Sequence, residues 1–254
     1  MLQYCKIINF ICSINIAIPI IMSVKKHIPN AITLLNMFSG CIAVYYAFQN
    51  QLLIAALFTF LGIFFDFFDG FFARILKAQS DLGLQLDSMA DMVTSGMVPG
   101  IFMFQLLNQA NTTGCEYVPF LGFLITLGSG YRLANFNIDT RQTTSFIGLP
   151  TPANTLLIIS VALVTIYQPH FFVADWFTNV WVLLLITMLS CYLLNAELPL
   201  FALKFKSWDF KSNWYRYVFL MLSVILIVCF TYAGILGVIL LYVGMSVFLK
   251  ASSK

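Results

Sequence analysis

The chain has 254 residues, 61% of them apolar and only 9% charged, with a formal net charge of +3 and a mean hydropathy of +0.92. A water-soluble fold of this length needs far more charged surface, so composition places the protein among polytopic membrane proteins. The small net charge suggests no nucleic-acid partner, although where the charges fall is informative.

Residues 4–21 form an apolar stretch that contains Lys6 and Pro19 and has no clear small-residue cleavage site, which argues against a signal peptide. An interfacial helix, an extra span, or an upstream start codon with Met22 as the true initiator remain as readings. The first clear span is expected over residues 31–49, with Pro29 suited to a helix start and Asn30 of a capping type. Thr33 and Asn36, three residues apart, share a face, where such residues commonly join neighbouring spans. Gly40 is expected to let another helix approach.

Asn50 and Gln51 mark a turn before a second span at 52–75, and a third is expected at about 83–107 with a kink near Pro99. Residues 108–118 are polar but lack Lys and Arg. A fourth span, 119–137, carries the small triplet Gly128, Ser129, Gly130 and ends near Arg132 and Asn135. After a polar connection holding Arg141, the run Phe146 to Ala153 predicts a rigid Gly/Pro turn. Spans at 153–168 and 176–195 follow, then a basic loop at 197–213 with Lys204, Lys206 and Lys211, and two last spans at 215–232 and 234–249. The expected fold is therefore an all-α polytopic membrane helix bundle of about eight transmembrane helices.

The six cysteines, Cys5, Cys12, Cys41, Cys115, Cys191 and Cys229, form no C-x-x-C pair and read as buried small apolar side chains. Neither His27 nor His170 has the setting of a catalytic imidazole.

The chemistry is concentrated between residues 66 and 91, where Asp66, Asp69, Asp87 and Asp91 interrupt apolar sequence. Spacings of three and four put each pair on one face of its helix, and the polar stretch Gly70 to Gly83 allows the chain to turn back. Four carboxylates at one point cannot stay ionised unaided at membrane depth, so they call for cations. With no Cys or His among them, Mg²⁺, Mn²⁺ or Ca²⁺ suits better than zinc. Two such ions in a carboxylate cage can hold a diphosphate and support displacement at phosphorus, which makes phosphoryl transfer the first hypothesis. Gly70 and Gly83 remove side chains where a ligand approaches, Ala73 is small, and Arg74 offers a planar fork to phosphate. An intramembrane acid cluster also suits a cation transporter, but that function does not require these small residues at these spacings.

Written out, Asp66-x-x-Asp69-Gly70-x-x-Ala73-Arg74, eight residues, Gly83-x-x-x-Asp87-x-x-x-Asp91 resembles the signature of the membrane CDP-alcohol phosphotransferases. The resemblance covers residues 28–155 well and the remainder only as hydrophobic helices. It implies a two-metal site in which Asp66, Asp69 and Asp87 are ligands and Asp91 is both ligand and general base. It further implies that Thr33, Asn36, Asp66, Gly70, Ala73, Arg74 and Gly83 line the CDP site.

Arg132-Leu-Ala-x-Phe-Asn and Phe146-x-Gly-Leu-Pro-x-Pro-Ala are similar to the phosphatidylserine synthase branch of that family. The stretch Thr94-Ser95-Gly96-Met97-Val98-Pro99 departs from the pattern of the branch, which tends to have an aromatic before the glycine. The branch implies CDP-diacylglycerol and L-serine as substrates, with Arg132, Asn135 and Arg141 in the acceptor pocket. Glycerol phosphate or inositol phosphate are the alternative acceptors. Arg132 could instead be an interfacial anchor.

The resemblance divides the chain into an N-terminal extension, 1–21, a six-helix core, 22–196, and a basic loop with two C-terminal helices, 197–254. Met22 begins a segment that reads as a complete start for the family, which favours the upstream-start reading. A homodimer is also implied. Placing Lys25 and Lys26 inside puts every Lys and Arg except Lys6 on the cytoplasmic side, so the aspartates fall at the cytoplasmic face of the cell membrane.

Overall fold

The computed structural model describes residues 27–138, 146–200 and 210–252. The apolar stretch 4–21, the Met22 start, Arg141, Lys204 and Lys206 lie outside the described residues. Among the described residues there are eight α-helices: α1 His27–Phe48, α2 Leu52–Ile75, α3 Asp81–Ala110, α4 Leu124–Ile138, α5 Thr151–Tyr167, α6 Val180–Asn195, α7 Phe210–Phe230 and α8 Tyr232–Ser252. Helices α1, α2 and α3, with Asn213–Phe230 of α7, are long and apolar enough to cross a membrane. Helices α5, α6 and the Tyr232–Phe248 part of α8 are shorter apolar helices. The all-α expectation holds, with one addition: β1 Phe146–Ile147 pairs antiparallel with β2 Pro199–Leu200, where a Gly/Pro turn alone was expected.

Several boundaries differ from the expected ones for local reasons. Helix α1 already includes His27, so Asn30 lies inside it and does not cap it; Pro29 falls in the first described turn, where a missing N–H is tolerated. Helix α3 runs on through Pro99 to Ala110 and widens into a π-helical turn at Met92–Met97. Pro99 cannot donate to the carbonyl of Ser95 one turn earlier. Thr155 Oγ1 of α5 donates to that oxygen at 2.8 Å, and Thr126 Oγ1 of α4 donates to Gly96 O at 3.0 Å. The irregular turn is therefore satisfied by neighbouring helices, as backbone in a membrane requires.

Helix α4 is shorter than the expected fourth span, because Val118–Phe123 form a 3₁₀ turn first. Gly122 in that turn packs directly on the backbone of Met103 and Phe104. Helices α7 and α8 are separated by Thr231 alone, at φ 50°. Gln168 braces this bend: its Nε2 donates to Phe230 O at 3.0 Å, and its Oε1 accepts from Ala233 N at 2.9 Å.

The main core joins small residues of α1 and α2, such as Ala43, Ala47, Ala55 and Ala56, to the larger side chains Ile101, Phe102 and Leu106 of α3 and Ile158 and Leu163 of α5. Small residues at these contacts let the backbones approach. A second cluster, with Leu149, Leu157, Leu200, Phe219, Ile239 and Tyr242, ties α7 and α8 to the bundle. Packing thus clamps the part of α3 after the π turn. The part before it, Asp81–Asp91, buries only Ala90, and its residues Gly83, Leu84 and Asp87 line a cleft.

The cysteines Cys41, Cys115, Cys191 and Cys229 are free, but Cys41, Cys115 and Cys229 are exposed, which corrects the expectation of burial. Cys41 and Cys229 lie on outward helix faces, where lipid accepts a small apolar side chain as readily as a protein interior does, and Cys115 lies in the connection after α3.

Candidate active site

The turn between α2 and α3 is short and well terminated. Lys77 takes a left-handed conformation at φ 50° and Ala78 N donates to Ala73 O at 2.9 Å, closing α2. Ser80 then caps α3, its hydroxyl accepting from Gly83 N at 3.0 Å. The two acid-bearing helices therefore run back along each other.

Carboxylate oxygens of Asp66, Asp69 and Asp87 come within 4.8 Å of one another. Asp91, one turn further along α3, abuts Asp66 but is not part of that closest group. Thr33 Oγ1 of α1 donates to Asp69 Oδ2 at 2.6 Å, and Asp69 is 5% exposed. The charges acting most strongly on Asp66 are those of the other aspartates. Like charges so close in a poorly hydrated setting repel strongly, and oxygen-only donors of this kind suit a hard divalent cation. The cluster is therefore a competent metal site.

Beside it opens a cleft of about 410 Å³. Asn30 and Thr33 of α1, Asp69, Gly70 and Ala73 of α2, and Gly83 and Asp87 of α3 form its walls, and residues 78–81 of the turn form its rim. The expected residues Thr33, Gly70, Ala73 and Gly83 are thus brought together with two of the aspartates. A side chain at Gly83 would press on Asn30 Oδ1 and Ser80 Oγ. Asn36 is placed differently: it is fully buried, does not line the cleft, and its Oδ1 accepts from Thr94 Oγ1 at 2.8 Å. Arg74 is exposed and does not line the cleft; its Nε donates to the carbonyl of Gly70, a cleft residue, at 2.9 Å.

Of the acceptor set, Arg132 is buried and its Nη1 donates to Leu194 O at 3.0 Å, close to Gly148 and within electrostatic reach of Tyr242. Gly148 has φ 74°, and a Cβ there would press on the carbonyl of Leu194 and on Arg132, so glycine is needed for this contact. Asn135 is exposed on α4, and Arg141 is outside the described residues.

Asn30, part of the Pro29-Asn30-x-x-Thr33-x-x-Asn36 opening whose resemblance implies a place at the nucleotide pocket, is a cleft wall; sequence reasoning missed the pairing of Ser88 with Asn137, whose Nδ2 donates to Ser88 Oγ at 2.9 Å. Asn30 stands three residues before Thr33 on the same helical face.

Residues 26–192 match the CDP-alcohol phosphatidyltransferase family, and the chain belongs to it. Within the family, it is similar to proteins named CDP-diacylglycerol–serine O-phosphatidyltransferase. It is 38% identical to that of Bacillus subtilis over 131 residues, which are 50% of this chain and 70% of the relative. It is 32% identical to that of Saccharomyces cerevisiae over 152 residues, 54% of this chain and 53% of the relative. The match to that of Mycobacterium leprae is 27% identity over 180 residues, 68% of this chain and 57% of the relative. The chain thus spans little more than half the length of the last two.

Proposed function

We propose that the protein transfers a phosphatidyl group from CDP-diacylglycerol to L-serine, giving phosphatidylserine and CMP. The observation that carries the reading is the meeting of Asp66, Asp69 and Asp87 beside a cleft walled by Gly70, Ala73 and Gly83. The names of the relatives supply the acceptor. In this reading the serine hydroxyl oxygen attacks the phosphorus that bears diacylglycerol. The new O–P bond forms as the bond to the CMP oxygen breaks, and the serine proton passes to Asp91. Asp66, Asp69, Asp87 and Asp91 would hold two divalent cations, Mg²⁺ or Mn²⁺, which offset the diphosphate charge and the charge gained at phosphorus. Gly70, Ala73 and Gly83 leave room for the nucleotide, and Arg74, bonded to Gly70 O, adds a cation for its phosphates.

Arg132, Asn135 and Arg141 belong to the proposed acceptor side, although the Arg132 guanidinium is already engaged on Leu194 O. The proposed arrangement is a six-helix core, 22–196, with α7 and α8 added. It is a multi-pass protein of the cell membrane with its site at the cytoplasmic face, and it forms a homodimer.

The test is an assay of purified protein in detergent with CDP-diacylglycerol and a panel of labelled alcohols, with and without Mn²⁺. Phosphatidylserine and CMP should form with serine and the cation only, and Asp91→Asn should abolish turnover. Product from glycerol phosphate or inositol phosphate in place of serine reassigns the acceptor. Cation flux into sealed vesicles carrying the protein, with no lipid product in the assay, overturns the reading.

A further inference from the structure

Asn36 lies next to Asp91, and the two leave complementary atoms unmatched: the donor Asn36 Nδ2 and the acceptor Asp91 Oδ1 are both buried and without a hydrogen-bond partner. The other end of the amide is engaged. Thr94 Oγ1, in the π turn that follows Asp91, lies 2.8 Å from Asn36 Oδ1 and 3.2 Å from Asn36 O. The reversed amide would turn its carbonyl oxygen on the Asp91 carboxylate, so like partial charges disfavour it. Space for Thr94 is created by two glycines, since a Cβ on Gly40 of α1 or on Gly62 of α2 would collide with the Thr94 side chain. A fully buried amide donor facing a buried carboxylate oxygen is costly unless the two meet.

We infer that Asn36 is a positioning residue for Asp91: Thr94 orients its amide so that Nδ2 engages Asp91 Oδ1, which leaves the other carboxylate oxygen facing the site. The inference rests on the reading of Asp91 as the base that receives the acceptor's proton. It moves Asn36 from the wall of the nucleotide pocket to the support of a reacting group, and it gives the π turn a role, because the widened turn carries Thr94.

Asn36→Ala, Thr94→Val, Thr94→Ser and Asp91→Asn are compared with the parent enzyme for kcat, for KM of each substrate, and for Mn²⁺ binding by electron paramagnetic resonance without substrate. Asn36→Ala should lower kcat about 10- to 100-fold, the usual effect of losing a supporting partner, with both KM values within about 2-fold of the parent and the loss persisting at saturating Mn²⁺. Thr94→Val should lower kcat in the same sense but less, and Thr94→Ser should recover most of that loss. Unchanged kcat in Asn36→Ala beside an inactive Asp91→Asn overturns the inference alone. A raised KM for CDP-diacylglycerol at unchanged kcat also overturns it and returns Asn36 to the donor pocket. A loss of kcat that saturating Mn²⁺ fully restores assigns Asn36 to metal retention instead and likewise overturns it. An active Asp91→Asn enzyme removes the base itself, and the inference with it. If Asn36→Ala does not accumulate, Thr94→Val with parental kcat overturns the inference.

Discussion

Thr33→Val replaces a hydroxyl by a methyl of nearly the same size at the one described side chain that donates to the aspartate triad. In the native protein Thr33 Oγ1 lies 2.6 Å from Asp69 Oδ2 and 3.1 Å from Pro29 O, and Thr33 is 3% exposed. The variant therefore leaves a carboxylate oxygen of the largely buried Asp69 without its donor. A hydrogen bond to a charged group contributes about 1.5–3 kcal/mol. Part of that loss falls on the orientation of Asp69 as a ligand, and a lost supporting partner of this kind lowers metal affinity about 10- to 100-fold. Titrating Mn²⁺ into the serine-transfer assay at saturating substrates should show the half-activating concentration rising by that factor, while Thr33→Ser stays near the parent value. A Thr33→Val enzyme that responds to Mn²⁺ within about 2-fold of the parent, or a Thr33→Ser enzyme equally impaired, would refute the claim that this contact sets the metal site; the ~2-fold margin is small beside the expected effect.

Two further substitutions probe the cleft and the bundle separately. Gly83→Val introduces a Cβ that would lie 3.1 Å from Asn30 Oδ1 and 3.2 Å from Ser80 Oγ, crowding the cleft wall. The KM for CDP-diacylglycerol should rise about 10-fold, corresponding to roughly 1.4 kcal/mol of lost binding, with little change in melting temperature; an unchanged KM shows that the donor does not approach this wall. Gly122→Ala puts a Cβ 2.5 Å from Phe104 N, backbone that cannot rotate away. Thermal unfolding in detergent should show a loss of about 1–3 kcal/mol, the usual cost of overpacking, and unaltered melting contradicts the tight joint between the 3₁₀ turn and α3.

Much of the architecture was legible because its causes are local. Long apolar runs define helices wherever water is absent, and the spacings of Asp66, Asp69, Asp87 and Asp91 fix a shared face through the helical repeat alone. The polar stretch between them signalled the reversal that brings Asp66, Asp69 and Asp87 within 4.8 Å.

What a side chain meets across a helix interface is not encoded by its neighbours in sequence. Asn30 has the chemistry of a cap, yet the approach of α3 makes it a cleft wall opposite Gly83. Asn36 shares a face with Thr33, but Thr94 and Asp91 enclose it, because the π turn and the glycines at positions 40 and 62 let three helices converge there. Arg132 could have faced the acids or the membrane boundary, and the carbonyl of Leu194 on another helix took it. Periodicity sets which residues can face inward, while partner choice among inward-facing polar groups depends on distances that only the assembled bundle defines.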